Sequence, residues 1–307
     1  MAVQGLAEEL RRLVAEARTA QDWGAPADYI PELAKVDPEQ VGVAVCLADG
    51  QEIGAGDADV PFSIQSISKV FSLAAVLGRL GDDLWRRVGR EPSGTAFDSI
   101  FLLEQEQGRP RNPFINAGAL VTTDALLGGR EPRQALSEIM YLVRAAAEDD
   151  DIHIDKAVAE SEKATASRNT SLLYYLKSHD NLRCPPEMVL GTYAHQCAIE
   201  MTCHQLARSG RMLAMIPGAP AMISSHRARR INALMMTCGQ YDGSGNFAFR
   251  VGLPGKSGVG GGILLVAPGR ASIAVWSPGL DGYGNSKVGT WLAERIADYT
   301  GWSVFAP

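Results

Sequence analysis

The sequence predicts an α/β protein of the α+β type, with an antiparallel sheet formed from both chain ends, flanking helices and an inserted helical region. Three observations carry this reading. Alternating, β-branched segments occur at 41–57 and again beyond about residue 245. Helical spacing of apolar residues fills the span from 66 to about 215. No repeat, low-complexity run or long linker divides the chain. Residues 1–307 therefore read as a single unit, with a sheet part at about 1–65 and 216–307 and a helical part at about 66–215.

The elements follow in order. Residues 5–18 form an amphipathic helix with acids and bases mixed on its polar face. "GAPADYIPEL" is a loop punctuated by Pro and Gly. "VGVAVCLADGQEIGAGD" (41–57) alternates around Asp49-Gly50, a hairpin signature. A helix starts near 66, with Leu73, Leu77 and Leu80 on one face. "TTDALLG", "PRQALSEIMYLVRAAAED" and "KATASRNTSLLYYLKSH" continue at helical spacing, as does 222–240. "GNFAFRVGL", "GGILLVAPG" and "ASIAVWSPG" read as three short strands separated by Gly and Pro. "SKVGTWLAERIADYT" is a closing helix.

Bulk properties narrow the function. Apolar residues make up 46% of the 307, as in a soluble globular protein. The net charge of −6 disfavours nucleic acid and anionic membranes as partners. "RARR" (227–230) reads as a solvated helix face and "EDDD" (148–151) as a solvated loop. No apolar run reaches spanning length. The N-terminal segment lacks the basic start, apolar centre and cleavage site of a signal peptide. The cysteines, at 46, 184, 197, 203 and 238, are scattered and odd in number, which fits a reduced, cytoplasmic protein. Around Asp149–Glu160 a calcium loop would need Gly where Ile154 stands. His195, Cys197, Cys203 and His204 do not match a zinc spacing. No metal or organic cofactor is implied.

The chemistry gathers at "PFSIQSISKVFSLAAVLGRL" (61–80). Serine is a poor nucleophile until a base takes its proton. Ser66 and Lys69 are three residues apart at a helix start, which puts them on one side. Val70, Phe71, Leu73 and Ala74 would bury the lysine stem. Burial and the positive end of the helix dipole both disfavour an ammonium, so Lys69 can act as a neutral base. "GLPGKSGVGGGILLVAPG" (252–269) adds a glycine tract whose N–H groups can approach a substrate and form an oxyanion hole, one donor at Ser66 and one near Val259. It matches neither a Walker A loop nor G-x-G-x-x-G. No G-x-S-x-G is present for a Ser-His-Asp hydrolase. In "RPRNPFINAGALVTTDAL" (109–126), Asn116 precedes a small-residue helix, where a capping role is the plain reading.

The ordered set SISK (66–69), "NPFINAGA" (112–119), "ESEKATASRN" (160–169), "TYAHQC" (192–197) and "TCGQYDGSGNFAFRVGLPGKSGVGGG" (237–262), with "ADYIPELA" (27–34), resembles the serine-dependent glutaminase family. The resemblance runs from about residue 25 to the C-terminus. It implies a β-lactamase-like fold, as in the penicillin-binding-protein superfamily, and hydrolysis of L-glutamine to L-glutamate and ammonia. It further implies Ser66 as nucleophile and Lys69 as its base. Tyr29, Ser66, Asn116, Glu162, Asn169, Tyr193, Tyr241 and Val259 would contact glutamine, and Tyr193 or Tyr241 would relay the proton. The family forms homodimers or homotetramers. Those residue types suit the substrate: Glu162 can pair with the α-ammonium, and amide and phenol donors can hold the α-carboxylate. Seven-residue spacing predicts that Glu162 and Asn169 share a helix face. Alternatives are a penicillin-binding or β-lactamase-type hydrolase, or a glutamine-binding sensor without turnover.

Overall fold

A computed structural model describes residues 5–216 and 218–306. Residues 1–4, 217 and 307, which the sequence reading places in the sheet part, lie outside the described residues. Helix α1 (Leu6–Ala17) precedes the hairpin of β1 (Gly42–Leu47) and β2 (Glu52–Gly56). After β3 (Phe62–Ser63) come α2 (Ser68–Leu80), α3 (Ile100–Gln105), α4 (Asn116–Leu127) and α5 (Pro132–Ala147). β4 (His153–Ile154) leads to α6 (Lys156–Ala164), α7 (Ser167–Ser178) and α8 (Pro186–Cys197). Then follow β5 (Ile199–Met201), α9 (Cys203–Ala214), α10 (Ser225–Cys238) and α11 (Ser244–Arg250). The chain returns through β6 (Gly255–Ser257), β7 (Gly262–Ala267), β8 (Ala271–Trp276) and α12 (Lys287–Thr300).

The main sheet runs β2-β1-β8-β7-β6 and is antiparallel throughout. The N-terminal hairpin is thus joined to the C-terminal strands at the centre, where Val45 lies opposite both Ile53 and Ile273. Side chains alternate across the pleat. Val43, Val45, Ile263, Leu265, Ile273 and Val275 pack with α1 and α12. Ala44, Cys46, Leu264, Val266 and Ala274 face the opposite way, against α9 and the helical core. Burying a Val, Leu or Ile contributes roughly 1.5–3 kcal/mol, so a sheet covered on both faces is a rigid base. α9 approaches closely because Gly210 has no side chain: a Cβ there would lie 2.0 Å from Ser272 Oγ.

Three features depart from the sequence reading. "GNFAFRVGL" is not a strand but mostly α11: Phe247 and Val251 are buried four residues apart, while Phe249 between them is 91% exposed. Leu80 is exposed, so the apolar face of α2 ends at Leu77. A second sheet, β3-β5-β4, ties the segment before α2 to the helical region through strands of two or three residues. No helix among the described residues is long and apolar enough to cross a membrane.

Candidate active site

Ser66 lies on a single 3-10 turn, Gln65–Ile67, between β3 and α2. Gln65 adopts φ 48°, in the left-handed region that a residue with a side chain enters at a cost. The opposite wall is the turn between β6 and β7. A Cβ on Gly258 would come within 2.4 Å of the Ile64 carbonyl, and one on Gly260 within 2.2 Å of the Ser63 carbonyl. These glycines let the Val259 backbone lie directly against the Ser66 turn. β6 is an edge strand carrying Lys256 and Ser257, and the glycines follow it.

Lys69 occupies the first turn of α2 and is 1% exposed. Its Nζ donates to Asn116 Oδ1 at 2.8 Å and to the Phe114 carbonyl at 3.1 Å. Burial lowers its pKa to about 8, against the opposing pull of Cys197 and Glu162. Asn116 is the first residue of α4 and makes no side-chain cap. It donates instead to Asn169 Oδ1 at 2.9 Å, and the Tyr193 hydroxyl reaches its Oδ1 at 3.4 Å. The asparagine therefore spans from the lysine to α7 and α8.

Glu162 and Asn169 sit on two helices, α6 and α7, rather than on one face of a single helix. The break is at Thr165-Ala166, where Thr165 Oγ1 donates to the Ser161 and Glu162 carbonyls. Both side chains nevertheless line the same cavity. Burial pushes the Glu162 carboxyl up to about 7, and Cys197, Lys69 and Gln65 resist that rise. Its Oε2 has no hydrogen-bond partner.

The cavity measures about 170 Å³ and is lined by Tyr29, Ser66, Asn116, Glu162, Asn169, Tyr193 and Val259 among others. Drug-sized sites run roughly 300–1,000 Å³, so this one suits a small polar molecule. Tyr29 stands at its mouth, 52% exposed. Tyr241 is buried one wall away, in an adjoining cleft shared with Tyr29, Phe97 and Val259. Its φ is 51°, and its hydroxyl lies 3.4 Å from the Ser257 carbonyl. Burial raises its pKa, while a contact with Ser66 opposes the rise. A larger groove of about 920 Å³ between α5 and α8 contains none of the predicted residues.

A buried serine lining the cavity, a lysine of lowered pKa and a lone carboxylate suit acyl transfer on a substrate carrying an ammonium. Comparison with known proteins agrees. The glutaminase family profile matches residues 24–305. The chain belongs to the glutaminase family. A glutaminase of Azorhizobium caulinodans is 59% identical over 98% of this chain and 99% of its own. One of Rhodopseudomonas palustris is 60% identical over 96% and 98%. Among solved structures, a probable glutaminase from Bacillus subtilis complexed with 6-diazo-5-oxo-L-norleucine superposes with a TM-score of 0.89, at 35% identity and 99% coverage of both chains. Another, the probable glutaminase ybaS, gives 0.91 at 36% identity over 98% and 99%. The fold is the β-lactamase-like fold of these glutaminases.

Three side chains escaped the sequence reading of this glutaminase-family site. Lys256 is wholly buried, with Nζ 2.6 Å from the Ser257 carbonyl, 3.1 Å from the Gly239 carbonyl and 4.6 Å from the centre of the Tyr241 ring. Burial lowers its pKa strongly, and the Lys69 charge adds to the effect. Gln65 lines the cavity and donates to Ser63 Oγ at 3.0 Å. Cys197 lies one helical turn beyond Tyr193 on α8. A lysine next to Ser-Gly and a cysteine at i+4 from a site tyrosine were visible signals, whereas nothing marked Gln65.

Proposed function

We propose that this protein hydrolyses L-glutamine to L-glutamate and ammonia through a glutamyl ester on Ser66. Neutral Lys69 accepts the Ser66 proton as Oγ attacks the side-chain carboxamide carbon. The oxyanion rests on the N–H groups of Ser66 and Val259. The C–N bond then breaks, ammonia leaves with the transferred proton, and water cleaves the ester to release glutamate. Glu162 pairs with the α-ammonium, and Asn116, Asn169, Tyr29 and the two site tyrosines hold the rest of the substrate. Tyr193 or Tyr241 relays the proton.

One observation carries the reading: the Lys69 amine is buried, held by Asn116 and the Phe114 carbonyl, with its pKa lowered to about 8. A lysine in water is charged at neutral pH and takes no proton. An oxyanion donor supplies about 3–4 kcal/mol of barrier reduction, comparable to the base. The glutamine analogue on the Bacillus subtilis relative supports the substrate class. We further propose that residues 1–307 act as one catalytic unit, cytoplasmic, and assembled as a homodimer or homotetramer. Free, buried cysteines fit the reducing compartment.

The test uses intact mass after treatment with 6-diazo-5-oxo-L-norleucine. A single adduct is expected on the wild type and none on Ser66→Ala. An adduct that persists on the variant would place the nucleophile elsewhere.

A further inference from the structure

Besides Glu162, the described lining of the cavity carries two charged side chains, Asp98 and Arg168. Asp98 belongs to the loop before α3, and Arg168 to the first turn of α7. Arg168 Nε donates to Asp98 Oδ2 at 3.2 Å. The side chains are 60% and 31% exposed, so this pair stands toward the solvent side of the cavity. Its loop is anchored to the site, because the Asn116 N–H donates to the Phe97 carbonyl at 2.8 Å. Lys69 is committed to Asn116 and the Phe114 carbonyl. Among the described lining residues, Arg168 is therefore the cation that an entering ligand meets.

The end of α7 adds to this positive field. The first backbone bond of the helix is donated by Thr170 to the Ala166 carbonyl at 2.9 Å, and Ala166 makes no side-chain cap. The N–H groups of Ser167, Arg168 and Asn169 have no partner within the helix and mark its positive end. Ala166, Arg168 and Asn169 all line the cavity, so that end opens onto it. Asn169 is 9% exposed, and its Oδ1 accepts from Asn116 at 2.9 Å. That bond fixes the amide and leaves its N–H groups to donate.

We propose that Arg168 binds the α-carboxylate of the substrate, at the N-terminus of α7 and beside the Asn169 amide, and so sets a preference for a free amino acid. Glutamine brings an ammonium and a carboxylate. Glu162 suits the first. The amides and phenols around the second are neutral, while Glu162 and Asp98 repel it. A guanidinium offsets that repulsion and presents donors in carboxylate geometry. Asp98 engages Nε, which orients the group and leaves its terminal nitrogens for the substrate. A site built this way rejects analogues whose α-carboxylate is blocked.

The inference rests on the glutamine-hydrolysis reading. Wild-type ammonia release tests that reading separately, and the residue is tested by binding without turnover. Calorimetry gives dissociation constants of L-glutamate and its α-amide for wild type, Arg168→Gln and Arg168→Lys, with thermal melts to check folding. Losing a hydrogen bond to a charged group costs about tenfold in affinity. Wild type is therefore expected to bind L-glutamate about tenfold tighter than the α-amide. Arg168→Gln should weaken L-glutamate about tenfold and leave the α-amide within about twofold. It should also raise KM for glutamine with kcat nearly unchanged. Arg168→Lys keeps the charge and should lie closer to wild type than Arg168→Gln does. A folded Arg168→Gln protein with wild-type affinity for L-glutamate overturns the proposal. So does one that loses affinity equally for both ligands, which marks a structural effect. A wild type that prefers L-glutamate but releases no ammonia from glutamine sinks the hydrolysis reading and leaves this residue's role standing.

Discussion

The main sheet and the Ser66 cavity stand in contrast. In the sheet, local preference and global packing agree. Its central strands alternate between two apolar layers, and their backbone pairs in an unbroken antiparallel register. In and around the cavity, almost every local rule is broken. Gln65 and Tyr241 hold left-handed backbone, Lys69 and Lys256 are buried amines, and Glu162 keeps an oxygen without a partner. Such strain persists only where the surroundings over-determine it. The sheet, the small β3-β5-β4 sheet and the glycine turn supply that constraint. If the proposed site is right, stability resides in one region and reactivity in the other, and substitutions should separate them.

The largest separation is expected at Ser66. Ser66→Ala should lower kcat on the order of 10⁴–10⁶-fold while shifting unfolding free energy by less than about 1 kcal/mol. Ammonia release and urea denaturation measure the two. Leu265→Ala should do the reverse. Leu265 is wholly buried on the α12 side of the sheet, away from the cavity. Its loss should cost about 2–5 kcal/mol of stability, with kcat unchanged below the melting transition. A marked drop in kcat there would show that the two regions are coupled.

Glu162→Gln sharpens the contrast by placing both effects on one residue. The folded carboxyl, at about 7, holds a proton between about 4.5 and 7 that the unfolded chain has released. Wild-type stability therefore falls as pH rises through that window. The neutral amide escapes this, so the variant should be more stable than wild type at pH 8 by on the order of 1–3 kcal/mol, yet bind glutamine poorly. Denaturant titrations at pH 5 and pH 8, with KM at pH 8, decide it. A variant less stable than wild type at pH 8 would remove the idea that the cavity is built at the expense of the fold.

The smallest effect is graded rather than all-or-none. Lys69 must be neutral to accept a proton, so kcat/KM should rise about tenfold per pH unit up to about 8. Below about 7, protonation of Glu162 should steepen the slope. A rate–pH profile flat between 6 and 8 would contradict a neutral lysine base.

How much of this could be read beforehand follows the same division. The hairpin at Asp49-Gly50, α2 and α12 were legible because their periodicity and turn residues agree with the packing. In SISK the burial of the lysine was legible because it follows from its apolar neighbours, and the glycine tract was legible as a place of close backbone approach. α11 was misread because Phe247, Phe249 and Val251 alternate, although a helix buries the first and third at i and i+4. The α6–α7 break was missed because Thr165-Ala166 carries neither Gly nor Pro. Strands as short as β3 and β4 have no periodicity to detect, and their existence depends on β5, far along the chain. Gln65 was invisible because its importance lies in a backbone angle that tertiary contacts impose.

The meeting of Gly258 and Gly260 with the carbonyls of Ile64 and Ser63 has a bearing on biosynthesis. The Ser66 turn and the facing loop are nearly two hundred positions apart, and the strand that locks them together, β8, is translated later still. A nascent chain that has emerged only as far as Ser66 and Lys69 thus has no assembled cavity around them. The Ser66 cavity cannot form until residues 255–276 have left the ribosome and closed the sheet, so the polypeptide completes this pocket only when its architecture is whole.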